Sequence, residues 1–369
     1  MLIPFESGVQ LRVPSESNFF SSELSPDGKL YAVASSYFLQ IWSAGPELIL
    51  LNQVPLQRAE TVSVDQLCRV FVVWESHSRR LAVVCGEGIV FLWEVDYKEY
   101  LYELNPKKSK TVYLPSCKLS ALPRRVLDEY GDPLCVSSTP NSLLLGTATG
   151  NLVEVEWSGT ARGYPISAPI KIFLPEVSRD LPETFKLCSI DYDPLLSILA
   201  AVVESGLTLL FRIFYENRIY FNGCFDIHVA NGRCLRMATR SHLLALAKTD
   251  ASVAVYSLQW ANESLLPQTV FGFDVARYDE LYPPPEQWTA AVTAMNWNRD
   301  NDHLAVCYGS RGLAVWNFQE GPVFWYSERS DAYCANCCCF SSLGDFCLFN
   351  GERKLVGQSF LRTNTVVSC

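Results

Sequence analysis

Apolar and polar positions along the chain follow one recurring pattern. An apolar stretch leads to a polar turn, then to a strand of small and β-branched residues. A Gly or Ser turn follows, and then a strand that ends on an aromatic residue. The clearest instance is NWNRDNDHLAVCYGSRGLAVWNF, Asn296 to Phe318. Short apolar runs bounded by Gly, Asn and Asp predict strands and tight turns, because those turn residues supply the conformations that strands cannot.

The pattern recurs. LSPDGKLYAVASSYFLQIWS, from Leu24, closes on Trp42, and VVWESHSRRLAVVCGEGIVFLWEV closes on Trp93. VSSTPNSLLLGTATGNLVEVEW closes on Trp157, and IDYDPLLSILAAVVESGLTLLF on Phe211. MATRSHLLALAKTDASVAVYSL closes on Tyr256, and the opening stretch on Trp316. A weaker seventh copy lies between Cys337 and Phe360.

Successive closing aromatics are 51, 64, 54, 45 and 60 residues apart. One four-stranded propeller blade takes about 40–45 residues in WD repeats, so the excess belongs to loops. Near-continuous apolar runs imply strands buried on both faces, as in a sheet sandwiched between neighbours. The predicted fold is therefore all-β, a seven-bladed WD40-like β-propeller with divergent repeats, one domain over residues 1–369. Six copies are clear and the seventh, 337–360, is degraded. Closure requires one blade built from both chain ends, or strand edges stay exposed. Val9–Val13 (VQLRV) and Asn364–Ser368 (NTVVS) are the two candidates. One short helix is expected over Leu122–Asp132. No Trp-Asp or Gly-His pair occurs, so the usual polar network inside each blade is missing and mainly apolar packing is expected to hold the blades. On that view Trp42, Trp93, Trp157 and Trp316 are packing anchors.

Composition narrows the function classes. With 30 basic and 39 acidic residues the net charge is −9. No window is basic enough for a nucleic-acid surface; the densest, PKKSK at Pro106–Lys110, reads as a solvated loop tip. No signal peptide and no run long and apolar enough for a membrane helix is evident. The 14 cysteines are irregularly spaced, and many fall in apolar strands (Cys85, Cys188, Cys234, Cys307). They read as reduced, buried small hydrophobes of a cytoplasmic protein.

Catalytic chemistry is hard to find. Gly146–Asn151 (GTATGN) joins two strands rather than a strand and a helix, so it is no phosphate loop. The histidines (His77, His228, His242, His303) are dispersed, and Asp226, Asp250, Asp300 and Asp302 form no acid–base pair. In CANCCCF, adjacent strand thiols point to opposite faces, so Cys337, Cys338 and Cys339 cannot converge with Cys334 on one ion. No catalytic residue, cofactor site or metal site is predicted. The reading is a binding scaffold rather than an enzyme.

One family resemblance adds to this. TAAVTAMNWNRDNDHLAVCYGSRGLAVWNF, YLYEL at Tyr100–Leu104 and YPPPEQW at Tyr282–Trp288 resemble the N-terminal propeller of the Ric-one family. The similarity is strongest from Trp288 to Phe318. Members of that family are large subunits of the guanine nucleotide exchange factor complex for the Golgi Rab-six GTPase. The resemblance implies an arrestin-like partner subunit (the Rgp-one type), a Golgi Rab as client, and retrograde endosome-to-Golgi traffic. It also implies cytoplasmic placement with peripheral Golgi association through partners. Members are longer, so by this resemblance the chain is a fragment, a short isoform or the product of an incomplete gene model.

The alternative from another class is a generic propeller scaffold in a vesicle coat, ubiquitin-ligase adaptor or chromatin complex; a cryptic enzyme comes third. For partner binding the sequence points to Ala276–Trp288 (ARYDELYPPPEQW). Its consecutive prolines stiffen an extended segment, and Tyr282 and Trp288 are the expected anchors.

Overall fold

The computed structural model describes residues 9–10, 19–44, 49–59, 61–105, 110–215, 218–229, 231–238, 241–261, 264–273, 292–298, 300–309, 313–317, 321–326, 337–340, 346–351 and 354–359. After β1 (Val9–Gln10), β2–β5 (Phe19–Leu24, Leu30–Ser35, Phe38–Ser43, Leu50–Pro55) form an antiparallel meander. A short helix α1 (Val64–Cys68) leads into β6 (Val70–Trp74), β7 (Arg80–Cys85) and β8 (Ile89–Asn105). The outer edge of β8 is shared by β9 (Lys110–Ala121) and β10 (Arg125–Val126). The next meander is β11–β14 (Pro133–Ser138, Ser142–Thr147, Asn151–Glu156, Ala161–Pro165). Helices α2 (Ser167–Phe173) and α3 (Pro175–Asp180) follow.

Three more meanders complete the series. They are β15–β18 (Leu187–Asp193, Ile198–Val203, Thr208–Tyr215, Ile219–Asp226), β19–β22 (Gly232–Ala238, Leu243–Lys248, Val253–Ala261, Ser264–Phe273) and β23–β26 (Ala294–Trp297, His303–Cys307, Leu313–Asn317, Gly321–Tyr326). The molecule is thus an all-β propeller, with six blades each built from one stretch of chain. A further sheet has the order β1-β29-β28-β27, from β27 (Cys337–Phe340), β28 (Phe346–Gly351) and β29 (Lys354–Ser359). There Val9 pairs with Gly357 and Gln10 with Val356, so N-terminal residues join C-terminal strands. Residues 364–368 lie outside the described residues.

The first strand of each meander is the inner one. These inner strands touch in the order β2, β6, β11, β15, β19, β23, and then β27, which returns to β2. Between neighbouring blades lies an apolar cluster. Val83 and Trp93 of the second blade pack with Ile41 of the first, and Trp157 of the third packs with Val84 and Leu92 of the second. Middle strands such as β3, β12 and β16 are buried at every position, which explains their predominantly apolar sequence.

Five of the six closing aromatics occupy one structural position, and Trp157 stands two residues beyond it, where Val155 pairs with Leu143. Trp42 pairs with Tyr31, Trp93 with Leu81, Phe211 with Leu199, Tyr256 with Leu244 and Trp316 with Leu304. Trp157 follows the end of β13. All six are buried, so they pack the blades rather than offer a surface.

Two expectations from the sequence are corrected. Leu122–Asp132 is no helix: Arg125 and Val126 pair with Val90 and Ile89, and Leu127 plugs into the cluster between the second and third blades. The apolar spacing there is helix-like, but the free edge of β8 captures the segment as a strand. Cys188 is exposed rather than buried. A bulge between Leu187 and Ser189 leaves it unpaired and turns it outward. The same bulge recurs at Phe20, Leu134 and Arg233 in three other inner strands.

The connector between the first two blades is tightly fastened. Arg58 is buried with Glu87, donating Nε to Oε1 at 2.7 Å and Nη2 to Gln66 O at 2.8 Å. Gly86 is required there, since a Cβ would stand 2.7 Å from Gln66 O.

Candidate functional site in the central channel

Aligning the inner strands by their pairing reveals a layer around the channel. Glu23 pairs with Ala32, Val73 with Ala82, Ser137 with Leu144, Asp191 with Ala200, Arg236 with Ala245 and Asn296 with Ala305. All six line one cavity of about 450 Å³. Its rim is made by the turns after the inner strands, at Ser76, Pro140, Pro194, Asn298 and Asn301.

The turns are set by local chemistry. Two residues beyond the layer, a short polar side chain caps the backbone ahead of it. Ser25 Oγ accepts from Leu30 N at 2.9 Å, and Thr139 Oγ1 from Ser142 N at 2.9 Å. Asp193 Oδ1 accepts from Leu195 N at 2.8 Å, and Asn298 Oδ1 from His303 N at 3.0 Å. These bonds hold the rim in register with the layer below.

The layer residues also staple the ring. An inner strand has a free edge, whose N–H and C=O groups need partners once buried. Glu23 Oε2 accepts from Trp74 N at 3.0 Å, and Trp74 Nε1 donates back to Glu23 O at 3.2 Å. Ser137 Oγ accepts from Tyr192 N at 3.2 Å and donates to Asp191 Oδ1 at 2.8 Å. Asp191 Oδ2 accepts from Met237 N at 2.8 Å, and Asn296 Nδ2 donates to Cys338 O at 3.2 Å. Each bond crosses to a neighbouring inner strand. These polar bonds between blades add to the apolar packing expected from the missing Trp-Asp motifs.

Electrostatically the layer is an uneven mixture. Burial pushes the Glu23 carboxyl up to about 7, despite the opposing pull of Arg236 and the Trp74 N–H; Asp191 adds to the rise. Asp191 holds the Arg236 guanidinium charged, with Nε 3.7 Å from Oδ2.

The remaining sequence-predicted positions are dispersed. Tyr282 and Trp288, with the insertion 276–288, lie outside the described residues. Gly146–Asn151 spans the end of β12, the turn at residues 148–150 and the start of β13, with Gly150 at φ 76°. His303 Nδ1 lies 2.7 Å from its neighbour Asp302 Oδ1, and His242 Nδ1 lies 3.5 Å from Asp193 Oδ2 of the preceding blade. Cys338 is buried with its thiol directed at Ala305 O, 3.7 Å away. Among the described residues, no group of three or more His, Cys, Asp or Glu side chains is placed to hold a metal. No described helix is long and apolar enough to cross a membrane.

Sequence reasoning missed Glu23, Asp191 and Arg236. The available signal was positional and partial: SSELSP, CSIDYDP and VSSTP place a polar residue two before a polar turn residue in three copies, whereas Arg236 precedes Ala238 and carries no such mark.

No family model matches the chain. Among solved structures it is similar to the β-propeller domain of Myceliophteria thermophila Cps50 (Swd1), with a TM-score of 0.68. That likeness covers 97% of this chain and 100% of the other at 11% sequence identity. The shared property is the WD40-like propeller fold. Since 1532 solved chains match, the fold does not select a function.

Proposed function

We propose that the chain is a propeller subunit of a guanine nucleotide exchange factor complex for a Golgi Rab GTPase of the Rab-six type. In this reading it acts with an arrestin-like partner in retrograde endosome-to-Golgi transport, cytoplasmic and peripheral to the Golgi membrane. The sheet of β1 and β27–β29 is the seventh blade, and residues 1–369 are one closed propeller.

One observation carries the reading. The segment of strongest resemblance to the Ric-one family, Trp288 to Phe318, contains three successive strands of one blade, β23–β25. Nucleotide exchange also needs no covalent chemistry. A factor that prefers the nucleotide-free GTPase weakens nucleotide affinity in return, and a rigid ring with stapled blades can supply such a surface. The test is affinity purification of the tagged chain from cells, probed with nucleotide-free and GTP-locked Golgi Rab. Recovery of the arrestin-like partner with preference for the nucleotide-free Rab is expected. Recovery of neither, from the chain or a longer product containing it, overturns the reading.

A second reading is a propeller scaffold in another assembly, such as a vesicle coat or ubiquitin-ligase adaptor. The fold likeness over 97% of the chain favours it, because it is independent of the family resemblance. A pull-down dominated by such an assembly would select it.

A further inference from the structure

We draw no further inference here: the strongest candidate, the surface patch on the β17–β18 hairpin where the guanidiniums of Arg212 and Arg218 lie over the exposed rings of Phe214 and Tyr220, carries nothing because nothing in the structure shows what covers it.

Discussion

Asp191 on β15 accepts the backbone N–H of Met237 on β19 at 2.8 Å, across the gap between two blades. The same carboxylate takes the Ser137 hydroxyl from the preceding blade at 2.8 Å, so one side chain spans three inner strands. Its removal should cost more than an ordinary surface acid. Asp191→Ala leaves the Met237 N–H without its acceptor, at about 1–3 kcal/mol for each buried group left unpaired. Asp191→Asn keeps one acceptor oxygen and should cost less. Urea denaturation of the two variants checks this; equal and negligible losses would show that the staple does not hold the ring.

Stability should depend on pH through Glu23. The folded carboxyl, near 7, lies above its ordinary value of 4.5. Between those values the folded state therefore holds more proton than the unfolded one, and stability falls as pH rises. The contribution is fully present below about 4.5 and lost once pH passes about 7. Glu23→Gln removes this dependence, since Gln still accepts from Trp74 N without a charge. The variant should gain on wild type through that window and keep a constant lead above it. Parallel thermal melts at pH 5, 6, 7 and 8 measure the difference; a lead that shrinks with pH contradicts the assignment.

The blades were legible in the sequence for physical reasons. Trp316 and Leu304 pair on adjacent buried strands, and such strands can be neither polar nor long. The channel layer was hidden because a lone Glu23 or Asp191 in a strand looks like any solvent-facing residue. Only the register, which sets both opposite an alanine, shows that they share a ring. Cys188 was misread because a bulge reverses the facing of one residue and leaves no mark in the sequence. The segment 122–132 has helical spacing, yet pairing with β8 overrides it.

Thiol reactivity should follow burial and bulges. Cys68 and Cys188 are exposed, whereas Cys85, Cys135, Cys224 and Cys307 are buried. Burial pushes the Cys85 and Cys224 thiols up to about 12, and Cys135 also upward, so the reactive thiolate is scarce there. Iodoacetamide on the native protein should alkylate Cys68 and Cys188 well before those four, as mass spectrometry would read. Early labelling of Cys135 would contradict its place between β12 and β15.

The closing aromatics should be the costliest residues to truncate. Trp316 is 2% exposed and sits among Ala238, Ala245, Val255 and Trp297 from two blades. Trp316→Ala opens a cavity between blades that rigid sheets cannot collapse to fill, which costs about 3–5 kcal/mol. Trp316→Phe keeps most of the ring volume and should cost less. Phe214 is a fair control, being aromatic and also late in the third strand of its blade, yet 40% exposed. Phe214→Ala should stay within about 1 kcal/mol of wild type, as surface substitutions generally do. Denaturant midpoints for the three variants decide the matter. A loss at Phe214 comparable to that at Trp316 would mean that burial between blades does not set the cost and that the aromatic closing each copy is not the packing anchor.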